Sequence, residues 1–429
     1  MDGISTAPEH TMQSSYKWCV IAMLWFACFL NYADRQAIFV LFPLLRVHFH
    51  LSDMQLALLG SSFMWTYAGF GLVTGWLGDW CSRKMLILAG LLFWLGITGA
   101  TIITHKYWQL SLLRALSGMS EAIYFPAAMS MISDYHGPST RSRAMALHQS
   151  AVYAGTVGGG VLASLLGERF GWRSSFIGLG ALGLSVFFVL FLFLKEPQRN
   201  RSIPERSGAS RHSARIAVRD ILADTLAAPL VLRLIVAFIG ANFVAMIFMV
   251  WLPSFLFRKF HMSLSMAGFN ATIYLQVASV AGVLFGGVLA DMLARRDRGG
   301  RMKTQAFGLL AGVAFLFLTG WAPSLQLLVA GMIGFGFSKG IYDSNIWASL
   351  HDVVPPERRA VAVGIMNSLG WIGGGVAPLA VAAGSRRFGM GDCLSATSLV
   401  YVVVAAILLW NARHAIRETS HRAQTKLPT

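Results

Sequence analysis

Four ionisable residues lie deep inside long apolar runs: Asp34 and Arg35 in one, Arg114 and Glu121 in another. A charge in a bilayer is costly unless it faces a partner or a water-filled cavity, so each is a candidate for function. Adjacent side chains on a helix point about 100° apart, so Asp34 and Arg35 need not pair with each other. Arg114 and Glu121 are seven apart, on one helix face two turns apart, and Gly118 between them leaves space on that face. Glu121 is placed to meet a charge from the first run instead. Burial favours the neutral form of a carboxyl group and a nearby Arg favours the charged form, so a substrate or a conformational change can toggle a proton. Asp34 and Glu121 are therefore the expected proton-coupling residues. Arg35 and Arg114 are the expected anion holders, because a guanidinium fork suits a carboxylate bidentately. The competing reading is a static, mutually neutralising network, and Arg114 fits it best.

Other polar groups punctuate later runs. Lys339 and Asp343 are four apart and can pair within one helix. Such a pair either binds substrate or is self-neutral. Tyr342 and Asn345 add polar groups beside it, and all but Asp343 are carried forward as binding candidates. His148, Gln149 and Tyr153 cluster near the end of a run, where His148 is expected to be solvated. Asn242, Tyr274, Gln276 and Asn367 suit a cavity, although each alone is more often an interhelical hydrogen bond. Asn367 is retained as a binding candidate.

The elements that must hold these residues are spanning helices. The chain is 55% hydrophobic and 13% charged, with mean hydropathy +0.59. A soluble domain carries about 25% charged residues. Twelve apolar runs fit a bilayer crossing of ~20 residues: 18–44, 55–79, 85–104, 108–133, 144–167, 174–194, 232–257, 266–292, 304–321, 325–350, 359–383 and 392–412. In lipid every backbone polar group must be satisfied internally, which makes helices the reading for these runs. The net charge of +16 raises nucleic acid as a partner, but its distribution argues against it. With the N-terminus inside, 23 of the 35 Lys and Arg fall on the cytoplasmic side, eight on the other, and four in helices (Arg35, Arg114, Arg233 and Lys339). That is the positive-inside pattern with both termini cytoplasmic, in a multi-pass plasma membrane protein (an inner membrane if the source is bacterial).

Residues 1–15 are polar and the first apolar run is long enough to stay as a span, so no cleaved leader is read. Cys19, Cys28, Cys81 and Cys393 show no metal-binding spacing, and no nucleotide-binding motif occurs. Asn270-Ala-Thr fits a glycosylation pattern but falls inside a span. Domains are read as 1–194, a basic linker 195–231 with a surface helix at 214–226, and 232–429.

The two halves echo each other. Arg143-Ala-Met-Ala with Gly158-Gly-Gly recurs as Arg359-Ala-Val-Ala with Gly373-Gly-Gly, Gly75-x-x-x-Asp79 with Arg83-Lys84 as Gly287-x-x-x-Asp291 with Arg295-Arg296, and Arg169-Phe-Gly171 as Arg387-Phe-Gly389. The offsets are 216, 212 and 218. A parallel repeat of this size in a very apolar chain points to a transporter built from two similar bundles. The glycine runs 155–160 and 370–375 are expected at close helix contacts.

Gly75-Trp-Leu-Gly-Asp79-Trp-Cys-Ser-Arg83-Lys84 resembles the loop signature of the major facilitator superfamily, with Trp80 and Ser82 departing from it. Asn31-Tyr-Ala-Asp34-Arg35, Phe63-Met-Trp-Thr-Tyr-Ala68, Arg114-x-x-x-Gly118-x-x-Glu121-Ala122 and Trp251-Leu-Pro253 resemble its anion:cation symporter branch. The helix 1 and helix 4 residues also resemble spinster-like transporters of lipids. The resemblance implies an all-α fold of twelve transmembrane helices in two pseudo-symmetric six-helix bundles that rock about a midplane site. It implies gating by Gly75, Asp79, Arg83, Gly287 and Asp291, and adds Tyr32 and Trp65 to the binding candidates. The expected function is proton-coupled symport of a small organic anion, with the lipid bilayer as surroundings, no cofactor, and a monomer. A lipid carrier and a non-transporting sensor are the alternatives. No nucleophile–base–metal set asks for an enzyme.

Overall fold

A computed structural model describes residues 7–80, 82–196, 228–297, 299–355 and 358–424. The expected surface helix 214–226, most of the linker and Cys81 lie outside the described residues. The first helices are α1 (Ala7–Val40), α2 (Phe42–Phe49), α3 (Asp53–Trp80), α4 (Arg83–Ile102), α5 (Tyr107–Tyr135), α6 (Pro138–Phe170) and α7 (Trp172–Phe193). Then come α8 (Pro229–Lys259), α9 (Leu264–Arg296), α10 (Gly300–Trp321), α11 (Leu325–Asp343), α12 (Ile346–Val353), α13 (Arg359–Phe388) and α14 (Met390–Gln424). No strand occurs among them. Among the described residues, ten spans are long and apolar enough to cross a membrane. α3 and α5 are 28 and 29 residues long.

Two expected helices are divided. The run 18–44 ends as α1 at Val40, and α2 starts with Pro43 in its first turn, where a missing N–H costs nothing. The run 325–350 breaks at Ser344–Asn345, between α11 and α12. There Asn345 Nδ2 donates to Gly286 O at 3.2 Å and to Ser344 Oγ at 2.7 Å.

The chain forms two compact units. The first holds residues 1–52, 65–200 and 263–269; the second holds 53–64, 201–262 and 270–429. In the first, α1 packs on α6 and α7, α4 on α5 and α7, and α6 on α7. The second repeats this set: α8 on α13 and α14, α10 on α11 and α14, and α13 on α14.

Small residues allow these approaches. A Cβ on Gly155 of α6 meets Phe29 O of α1 at 2.5 Å, and one on Gly373 of α13 meets Ile239 Cγ2 of α8 at 2.5 Å. The glycine runs thus lie at helix contacts, as expected. Gly171 and Gly389 end α6 and α13 with φ of 84° and 85°, a region open to glycine. Their offset is 218.

The capping arginines share that offset and correct the repeat alignment. Arg141 donates to the carbonyls of His136 and Ser133, five and eight residues back. Arg359 does the same to Val354 and His351. The partner of Arg359 is therefore Arg141, and Arg143, placed there by the similarity of the following letters, is solvent-exposed.

Candidate functional site

The charged residues of α1 and α5 meet as two crossed ion pairs in the first unit. Arg35 Nη2 donates to Glu121 Oε2 at 2.7 Å, supported by Nε at 3.3 Å. Arg114 Nη1 donates to Asp34 Oδ2 at 2.9 Å. The fan between residues 34 and 35 sends one charge to each end of the α5 face, where Glu121 and Arg114 stand two turns apart. All four side chains are at most 3% exposed. An ion taken from water into such surroundings loses hydration worth several kcal/mol, which only close pairing offsets.

Aromatic rings flank the Arg35 end. Its guanidinium lies 4.5 Å from the Tyr32 ring centroid and 5.1 Å from that of Tyr67. A flat cation between ring faces is held by the ring quadrupoles while keeping donors in its plane. Tyr67 was not among the expected site residues, although it lies in the α3 stretch quoted for the resemblance. Thr66, its neighbour, bonds Ala115 O of α5 at 2.7 Å and fixes that helix alongside. Glu121 Oε1 is buried without a protein hydrogen-bond partner among the described residues.

A second polar layer stands one turn beyond Glu121. Tyr124 donates to Leu24 O at 2.6 Å, and its oxygen lies 3.1 Å from His148 Nε2. The Tyr124 proton is spent on a carbonyl, so His148 donates through Nε2 and is the Nε2–H tautomer. His148 is fully buried, which overturns the expectation of a solvated histidine. It joins α6 to the α1–α5 cluster.

In the second unit Lys339 pairs with Asp343 in α11, as the spacing of four allows. Tyr342 and Asn345 are each 3% exposed. Asn367 is half-buried in α13, and Trp65 in α3 is 38% exposed. Asn242 donates to Gly370 O at 2.6 Å, the interhelical bond foreseen as its plainer reading. Trp251 donates to Pro378 O at 3.1 Å and ties α8 to α13.

At the helix ends, Arg83 contacts Asp134, and Glu196 accepts from the backbone N–H of Arg83 at 3.0 Å and of Lys84 at 2.8 Å. In the second unit Arg301 joins Asp352 at 2.6 Å and Asp291 at 3.8 Å. Asp134 and Asp352 again differ by 218. Gly287 faces open space. Gly75 and Asp79 fall in the last turns of α3, and the Asp79 side chain lies outside the described residues.

Comparison with known proteins places this architecture. A family model described as Major Facilitator Superfamily matches residues 24–378. The chain is 25% identical over 392 residues to a "Probable galactarate/D-glucarate transporter" of Bacillus subtilis, covering 86% of each. It is 28% identical over 364 residues to "Protein spinster homolog 1" of Homo sapiens, covering 80% of this chain and 68% of that one. A crystal structure of a bacterial homolog of the human lysosomal transporter Spinster superposes with TM-score 0.82 at 22% identity, over 96% of this chain and 99% of that one.

Proposed function

The chain belongs to the Major Facilitator Superfamily, a family of membrane transporters with twelve helices in two bundles, and we propose that it couples proton entry to uptake of a small organic anion. The carrying observation is Arg35, held by Glu121 between the Tyr32 and Tyr67 rings. A guanidinium paired with a single carboxylate exchanges it for another of the same chemistry. Protonation of Glu121 removes its charge, weakens its hold on Arg35, and leaves the fork to a substrate carboxylate. Loss of the proton returns Arg35 to Glu121 and releases the anion. Asp34 holds Arg114 in the second pair and shifts the first through the field of four close charges.

The name of the bacterial relative, a galactarate/D-glucarate transporter, supports a sugar acid or similar carboxylate as cargo. Tyr32, Trp65, Arg114, Lys339, Tyr342, Asn345 and Asn367 complete the proposed substrate contacts. Gly75, Asp79, Arg83, Gly287 and Asp291 are assigned to gating, on the strength of the arginine–aspartate contacts at the helix ends. The loop charges support a plasma membrane protein with cytoplasmic termini, working as a monomer of two bundles, 1–194 and 232–429, joined by 195–231. A lipid or amphiphile cargo is the second reading, favoured by the spinster relative.

The test is uptake in proteoliposomes with an imposed pH gradient, against panels of sugar acids, other carboxylates and lysolipids. Accumulation of a carboxylate is expected. Arg35→Ala should weaken it by about tenfold to a hundredfold, the worth of a charge-assisted hydrogen bond of about 1.5–3 kcal/mol, with Arg35→Lys between. Transport of a lysolipid alone would move the second reading ahead.

A further inference from the structure

The offset of 218 fixed by Arg141 and Arg359 exposes a repeat inside the polar helices. Gly118-Met-Ser-Glu-Ala-Ile-Tyr124 of α5 aligns with Gly336-Phe-Ser-Lys-Gly-Ile-Tyr342 of α11. Gly, Ser, Ile and Tyr coincide, and Glu121 falls on Lys339. Each unit therefore carries a charge at the same register of the same element, with opposite sign.

The two charges are neutralised differently. Glu121 is met by Arg35 from another helix, with side chains 1% and 3% exposed. Lys339 is met by Asp343 from its own helix, with side chains 20% and 25% exposed. Asp343 is the last residue of α11, just before the break at Ser344–Asn345. A helix C-terminus carries partial negative charge, which favours Lys339 and disfavours Asp343. Of this pair, the carboxylate is the partner more weakly placed.

Resting on the organic-anion reading above, we propose that Asp343 is a resident counter-ion of Lys339 that an incoming substrate carboxylate replaces. The Lys339–Asp343 turn is then an anion-exchange site of the second unit. The substrate carboxylate takes the ammonium, and Asp343 turns to the polar groups of the helix break or to water. Its ligand class is a small carboxylate, and Asp343 holds the place that class occupies. An occupied counter-ion keeps an intramembrane cation compensated between cycles, and sets affinity by competition: whatever holds Asp343 on Lys339 is subtracted from substrate binding.

The test uses the purified full chain and thermal shift against a panel of acetate, D-glucuronate, D-glucarate and chloride. In the wild type the carboxylates should stabilise more than chloride. Asp343→Asn should lower the half-saturating carboxylate concentration on the order of tenfold, since the competitor is gone. Lys339→Gln should raise it by a similar factor. The double variant Lys339→Gln/Asp343→Asn carries no lone charge, folds without the pair, and should bind carboxylates as weakly as Lys339→Gln. Unchanged affinity in Asp343→Asn, or wild-type affinity in the double variant, overturns the exchange site while leaving the anion reading standing. If no carboxylate outperforms chloride in any variant, the anion reading falls and the exchange site with it.

Discussion

Arg35 Nη2 lies 2.7 Å from Glu121 Oε2, a contact that joins α1 to α5 across 86 residues of sequence. The neighbouring residue Asp34 holds Arg114 in the same way across 80. The structural duty of these pairs and the transport duty proposed for them are separable by experiment.

Glu121→Gln and Asp34→Asn are expected to lose uptake driven by a pH gradient, because neither side chain then binds and releases a proton. Exchange of substrate across the membrane without a gradient survives in at least one of them. Wild-type accumulation in both variants removes these residues from the coupling path.

Arg114→Met leaves Asp34 charged in an apolar interior and should destabilise the protein by about 3–5 kcal/mol, the cost of breaking a buried pair. Asp34→Asn/Arg114→Met removes both charges and should recover most of that loss. Thermal unfolding of the single and double variants measures the coupling. Additive losses would show that the pair contributes nothing as a pair.

Gly155→Ala should cost about 1–3 kcal/mol, since the new methyl meets Phe29 O at 2.5 Å and Tyr32 Cβ at 2.9 Å. Gly96→Ala is the control: nothing lies within 4 Å of its Cβ position. That change is expected to be neutral or stabilising by up to about 1 kcal/mol, the helix-propensity difference. Equal unfolding temperatures for the two variants would rule out close packing at Gly155.

Acid should loosen the junction between α1 and the α5–α6 turn. His136 is buried, donates from Nε2 to Lys17 O at 3.2 Å, and accepts at Nδ1 from Thr140 Oγ1 at 3.1 Å. Burial lowers its pKa from the ordinary value of about 6.5, the Lys17 carbonyl opposes this, and the Lys17 charge adds to it. The unfolded chain then binds the proton first. The stabilisation is complete above about pH 6.5 and declines as pH falls towards the folded-state pKa. His136→Asn should flatten the loss of stability between about pH 7 and pH 5. A slope unchanged by the substitution would assign the acid response to other groups.

Much of this was legible in the letters. Length and apolarity gave the spans, and the spacing of seven put Arg114 and Glu121 on one face. Which of them meets Asp34 and which meets Arg35 depends on how α1 lies on α5, and a hydropathy pattern does not contain that. The break at Ser344–Asn345 was hidden because apolar residues resume at Ile346 and no Pro marks it. His148 was misplaced for a related reason. Nearness to a helix end was read as exposure, whereas Tyr124 and Phe125 of α5 cover its ring. The repeat was visible, but Arg-Ala-x-Ala drew the alignment two residues off. The carbonyl caps of Arg141 and Arg359 agree with the offset of 218 between Gly171 and Gly389 and distinguish Arg141 from Arg143.

The contrast between the two neutralised charges has a consequence for how such halves diverge after duplication. Lys339 and Asp343 sit one helical turn apart, so two nearby codon changes insert or erase the pair as a cassette. The α1–α5 quartet has no such route. Each of its members is answered by a residue encoded far away, and a lone change passes through an intermediate with a stranded charge. On the exchange-site proposal, a change of cargo in the second half needs only residues one helical turn apart, whereas in the first half it needs residues 80 and 86 apart in sequence.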